Sequence, residues 1–326
     1  MRAPAMLRSF TLRQFQPRVL PVAVAPLPEK TRFDRELTAE LDNLRSQGTD
    51  GGEIGLAQLL DAAITTQKIA LDSFVNISYI DDADRGAVDK YLEENVEILD
   101  ACNYFMDKME NINEYVDSLR VVVHLVDSGS AKPNAVAATR ALELLESCQS
   151  IEKRCKSMGN RVGSCFKKLL KQKLCHETEL NEIMCGSKAM ALLCCRFLEI
   201  GLSFDSKSGF FPTMKQSQPT SSSWLKLVLE LAKQAEGSAE KKLQKRRYCL
   251  LMNELQQTVT AARDLKEQIK GKREMEMKYA VERLKISCRE LEDVVEIIEG
   301  RVKDLYKILI DVRMTFLGII SQTYNF

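Results

Sequence analysis

Much of what would mark this chain for chemistry is missing from it. Histidine occurs twice, at His124 and His176, and neither has a second ligand at metal-binding spacing. There is no glycine-rich phosphate loop and no GxSxG elbow. Ten cysteines are present without a single CxxC pair, and the N-terminus lacks the apolar core of a signal peptide. Together these features favour a reduced, intracellular chain over a disulfide or zinc scaffold. Cys155, Cys165, Cys175, Cys185 and Cys195 recur every ten residues. On a helix that step rotates each by about 80° from the last, so they line no common face. Cys175 beside His176 is no better as a nucleophile and base, because adjacent helical residues point about 100° apart. Carboxylates such as Glu93, Glu94 and Glu97 fall where solvated helix faces are expected. No catalytic, cofactor-binding or metal-ligating residue is assigned, no cofactor is expected, and the chain reads as a non-enzyme.

Aromatics are scarce as well, 6% of 326 residues, while charged residues make up 29% and apolar ones 45%. That balance belongs to long amphipathic helices. The net charge of +1 gives no global attraction to nucleic acid or acidic lipid. Residues 1–33 contain a stretch, up to Pro28, with four arginines, five prolines and no acidic side chain. This composition predicts a disordered basic tail, with an organelle transit peptide as the alternative.

What the sequence does have is heptad order. Met277, Val281, Leu284, Cys288, Leu291, Val295, Ile298, Val302, Leu305, Leu309, Val312, Phe316 and Ile319 recur in steps of four and three. They predict one helix over 273–321. With Val281 at position a, Val294 and Ile308 widen the apolar face, so several neighbours are needed to cover it. From Lys307 to Ile320 the pattern is apolar nearly all round, which predicts the most buried part of that helix. A second seam runs from Val88 to Val126 through Leu92, Asn95, Leu99, Cys102, Met106, Met109, Ile112, Val116, Leu119 and Val123. The acidic residues Asp81, Asp82 and Asp84 suit its positive N-terminus. Asn95 either fixes register on the seam or faces solvent at a splayed end.

Shorter helices fill the rest of residues 34–203. One begins near Asp34 with Leu37, Leu41 and Leu44, and stops at the Gly48–Gly52 cluster. Others are expected over 53–77 and from Pro133 to about Met158. The segment 177–202 is the most apolar internal stretch. Lys188, Arg196 and Glu199 make it a poor membrane span, so a buried central helix is predicted. A Ser-, Pro- and Gly-rich loop is expected at 204–223, with Ser223 as the N-cap of a helix from Trp224 that continues through Ile269. Gly271 is read as a turn into the last helix, making 224–321 a hairpin of the same bundle. Lys241, Lys242, Lys245, Arg246 and Arg247 form a basic run that is the candidate interaction patch. A second basic run, Arg161–Lys173, lacks the interleaved aromatics of a nucleic-acid site, and no nucleic-acid binding is expected. The expected fold is all-α, an elongated antiparallel bundle with coiled-coil-like long helices.

The string VDKYLEENVEILDACNYFMDKME, Val88 to Glu110, resembles the signature region of the plant BYPASS family. The run LYKILIDVRMTFLGII, Leu305 to Ile320, resembles that family's closing helix. The resemblance implies a protein of root and shoot development that restrains a mobile root-derived signal arresting shoot growth; with no catalytic motif in the residues, it is expected to act through protein partners. The alternatives are a coiled-coil tether or adaptor in membrane traffic and an enzyme of small-signal metabolism. A cytoplasmic location is expected, with plastid import through the N-terminal segment or peripheral membrane contact as alternatives. Oligomeric state is left open.

Overall fold

The computed structural model describes residues 30–49, 55–75, 82–127, 135–156, 178–204, 222–236, 252–271 and 274–323. Among them are eight helices and no strand: α1 (Arg32–Thr49), α2 (Leu56–Val75), α3 (Asp82–Val126), α4 (Ala135–Lys156), α5 (Glu179–Gly201), α6 (Ser223–Glu236), α7 (Asn253–Gly271) and α8 (Glu274–Thr323). From Thr31 onward they belong to one unit.

The two predicted seams organise the packing. At 1.5 Å per residue the 50 residues of α8 extend for about 75 Å, and its seam is buried from Met277 through Phe316. It packs on α7, α3 and α2, so three helices share the broad apolar face. The α3 seam is buried or partly buried along its whole length and meets α8, α4 and α5. α7 and α8 run antiparallel, and residues 272–273 between them lie outside the described residues. Thr258 Oγ1 donates to the Ser287 carbonyl at 3.0 Å, and Arg283 pairs with Asp264 at 2.8 Å. α3 is antiparallel to α8, through Arg120–Glu292 and Lys285–Asp127, and to α4, through Arg154–Glu114. Other pairs that are not chain neighbours run parallel instead, among them α2 with α8, α3 with α5 and α1 with α6.

α5 is the central helix that its apolar composition predicts, buried at nearly every position from Leu180 to Gly201. Thr178 caps it, its Oγ1 accepting from the Asn181 amide at 3.2 Å. Gly186 lets α1 approach closely, since a Cβ there would lie 2.5 Å from Cε1 of Phe33. Burial of polar groups here is matched by partners. Gln67 Nε2 donates to the Ser187 carbonyl at 2.9 Å, and Ser187 Oγ donates to Gln67 Oε1 at 2.7 Å. Tyr91 OH and Ser187 Oγ lie 3.0 Å apart. Lys188 pairs with Glu94, and Arg196 pairs with Glu199. Such pairing offsets a desolvation cost of several kcal/mol per ion. At the shared end of three helices, Thr31 Oγ1 donates to Glu182 Oε2 at 2.6 Å and accepts from the Asp34 amide at 3.0 Å. Asp34 Oδ1 in turn accepts from the Ser223 amide at 3.0 Å.

Several sequence expectations need correction. The end of α8 is not its most buried part, because Met314 and Leu317 are exposed there while Leu309, Val312 and Phe316 are buried and Ile308, Ile319 and Ile320 only partly so. Helices lie against only one side, and an apolar residue on the other side stays in water. Glu94 is not on a merely solvated face, since it meets the buried Lys188. Asn95 does not face solvent; it is 2% exposed, and its Oδ1 accepts no hydrogen bond. The expected helix from Trp224 to Ile269 is represented by α6 and α7, and residues 237–251 between them lie outside the described residues. Ser223 is the first residue of α6, one position later in the helix than a cap.

Candidate interaction surface

The side of α8 that faces away from α2 and α3 carries apolar residues where a helix normally turns charge to water. Met275, Tyr279, Ile286 and Ile297 are exposed by 85%, 74%, 55% and 51%. Spacings of four, seven and eleven residues keep all four within an arc of about 40°. Scattered single apolar residues on a surface mean little, whereas a stripe in register has a direction and a length.

The antiparallel packing of α7 shapes two hollows along this stripe, both open to solvent. One, of about 420 Å³, is bounded by Ala261 and Asp264 of α7 and by Met275 and Ala280 of α8. The other, of about 400 Å³, continues past Gln257, Ile286 and Ser287. Tyr279 and Arg283 line both. Carboxylates dominate the charged rim: Asp264, Glu276, Glu282 and Glu290 stand against the single guanidinium of Arg283. Arg283 is already engaged by Asp264. Asp127, and after it Glu282, accepts a hydrogen bond from the Lys285 ammonium, and these two bonds push its pKa up. The result is an apolar furrow with an acidic edge.

His124 is exposed in the last turn of α3. Burial pushes up the thiol pKa of Cys148, to about 11, and of Cys288, to about 12. Cys194 and Cys195 are raised as well, Cys195 chiefly by its hydrogen bond with Cys102. Such thiols are packing groups rather than nucleophiles. Among the described residues no group of His, Cys, Asp and Glu is placed to hold a metal ion. Nor, among them, is any helix long and apolar enough to cross a membrane. The basic patch Lys241, Lys242, Lys245, Arg246 and Arg247 lies outside the described residues, as do Cys175 and His176.

Sequence reasoning missed the furrow although a signal was present. In the register with Val281 at a, Met275 is at b, Tyr279 and Ile286 at f, and Ile297 at c. These are outward positions that a solvated helix fills with polar residues.

Residues 58–319 match the family model described as Protein BPS1. No curated protein matches the chain. No solved structure matches it either.

Proposed function

The chain belongs to the BYPASS family, and on that premise we propose that this plant regulator restrains a mobile root-derived signal by binding another protein, without catalysing a reaction. The observation that carries the binding part is the exposed stripe Met275–Tyr279–Ile286–Ile297 beside an acid-rimmed furrow. An amphipathic helix is the occupant that fits, its apolar residues at i, i+4 and i+7 and its flanks rich in Lys or Arg. The acidic rim selects such a helix and disfavours a second copy of this same face, which would bring carboxylates against carboxylates.

Complementation of plants lacking the endogenous gene tests the reading. The double variant Tyr279→Glu, Ile286→Glu changes only exposed side chains, so it should keep the parental melting temperature and fail to restore growth. His124→Gln, in the same background, should restore it. Restoration by the folded double variant, or failure of folded His124→Gln, would remove the support for a surface-based, non-catalytic role.

A further inference from the structure

Three lysines are buried among the described residues, and two of them have an obvious reason to be there. Lys188 meets Glu94, and Lys266 meets Glu146. Lys108 is 6% exposed, yet among the described residues no carboxylate comes within ion-pairing distance of it. Its Nζ instead lies over the ring of Tyr104, 5.8 Å from the centroid. Tyr104 is one turn earlier on α3, so the two side chains share a face. The Tyr104 hydroxyl is itself buried and makes no hydrogen bond.

Two other elements reach this spot. Cys155 of α4 and Glu199 of α5 both act electrostatically on Lys108 and Tyr104. The site therefore presents an ammonium with three donor hydrogens and a phenol with one, and the one carboxylate that acts on them, Glu199, is engaged by Arg196. A buried donor without an acceptor is costly, and a buried ammonium without an anion more so. Burial accordingly lowers the pKa of Lys108, and pushes that of Tyr104 up to about 12. The Phe105 ring stands 5.2 Å from that of Tyr104, and it is buried, as are Ala101 on α3 and Ile151, one turn before Cys155 on α4.

We propose that Lys108 and Tyr104 bind the carboxylate of a small, mainly apolar acid. One ammonium and one hydroxyl suit a monoanion, whereas a phosphate dianion is ordinarily held by several backbone amides or a guanidinium fork. The apolar neighbours leave the body of the ligand out of water. The site lies on α3, apart from the α7–α8 furrow, and stands whether or not that furrow binds a protein.

Calorimetric titration of the full chain with octanoate and with phenylacetate tests it, inorganic phosphate serving as the control. Saturable binding of at least one carboxylate is expected, weakened about tenfold or more in Lys108→Met, and less in Tyr104→Phe. Lys226→Met, at an exposed lysine, should leave affinity unchanged. Should Lys108→Met fail to fold, reductive methylation of the parental chain gives the same answer: the bound carboxylate should slow modification of Lys108. The proposal is overturned if the parental chain binds neither carboxylate, or if phosphate binds more tightly than both. It is equally overturned if folded Lys108→Met keeps parental affinity, or if methylation of Lys108 is indifferent to the ligand.

Discussion

Phe33 lies against the backbone of α5 at Gly186, so closely that a Cβ on Gly186 would sit 2.5 Å from Phe33 Cε1, 2.8 Å from Cζ and 3.1 Å from Leu37 Cδ2. Two ring atoms and a branched methyl leave no flexible end to move aside. Gly186→Val should therefore force α1 away from α5, at a cost of about 1–3 kcal/mol. Thermal unfolding checks this, with a lowered melting temperature expected. Phe33→Ala in the same chain should recover part of the loss, because it removes the ring that the new side chain strikes.

The α8 seam makes a stronger demand. Leu291 and Leu305 are fully buried, and an aspartate at either position would place an unpaired carboxylate in the core at a cost of several kcal/mol. That is comparable with the whole stability of an ordinary domain. Leu291→Asp and Leu305→Asp are each expected to abolish the cooperative melting transition. Circular dichroism on the purified variants decides the matter, and an unchanged transition would mean that the seam is not in the core.

Alkaline pH should expose the Tyr91 site. Tyr91 is buried, with its hydroxyl 3.0 Å from Ser187 Oγ, and burial pushes its pKa up to about 12. The folded value lies above the unfolded one, so its contribution is fully present below pH 10 and is lost as pH rises through the folded pKa. A shift of that size corresponds to roughly 2–3 kcal/mol. Tyr91→Phe should be less stable than the parent at pH 7, through loss of the Ser187 contact. Between pH 10 and pH 12 it should lose less stability than the parent does. Urea unfolding at several pH values measures both effects.

Thiol accessibility gives a further check on the core. Cys102, Cys148, Cys194, Cys195 and Cys288 are buried, and burial raises the pKa of Cys148, Cys194 and Cys288. The hydrogen bond with Cys102 acts with burial to raise Cys195. In the native protein all five should resist iodoacetamide at neutral pH, and all should react in guanidinium. Mass spectrometry of the alkylated peptides identifies each site.

The sequence is most legible where a one-dimensional pattern is sufficient. The seams of α3 and α8 could be read because burial of a long helix repeats along the chain, from Val88 to Val126 and from Met277 to Phe316. α5 could be read because a helix enclosed by neighbours is apolar all round. Contacts between distant segments leave no such period. Phe33 on Gly186, and Gln67 on Ser187, are meetings of residues more than one hundred positions apart, and neither partner looks unusual locally. The apolar end of α8 misled for the complementary reason, since composition records what a side chain is and not whether a neighbour covers it. The furrow was partly legible: Tyr279 and Ile286 break the polar pattern at outward positions, although the hollow beside them exists only once α7 folds back. Lys108 gave no sign, because a lysine between heptad residues is ordinarily solvated.

The central claim, that the α7–α8 furrow is a binding surface for a basic amphipathic helix, is tested most directly by cross-linking mass spectrometry on the chain purified from root tissue. Parental protein and the Tyr279→Glu, Ile286→Glu variant are compared. The expected result is a partner recovered with the parent and lost with the variant, cross-linked to residues flanking Tyr279 through a segment with apolar residues at helical spacing and Lys or Arg beside them. Equal recovery of the same partners by the two proteins, with cross-links falling away from α7 and α8, would contradict it.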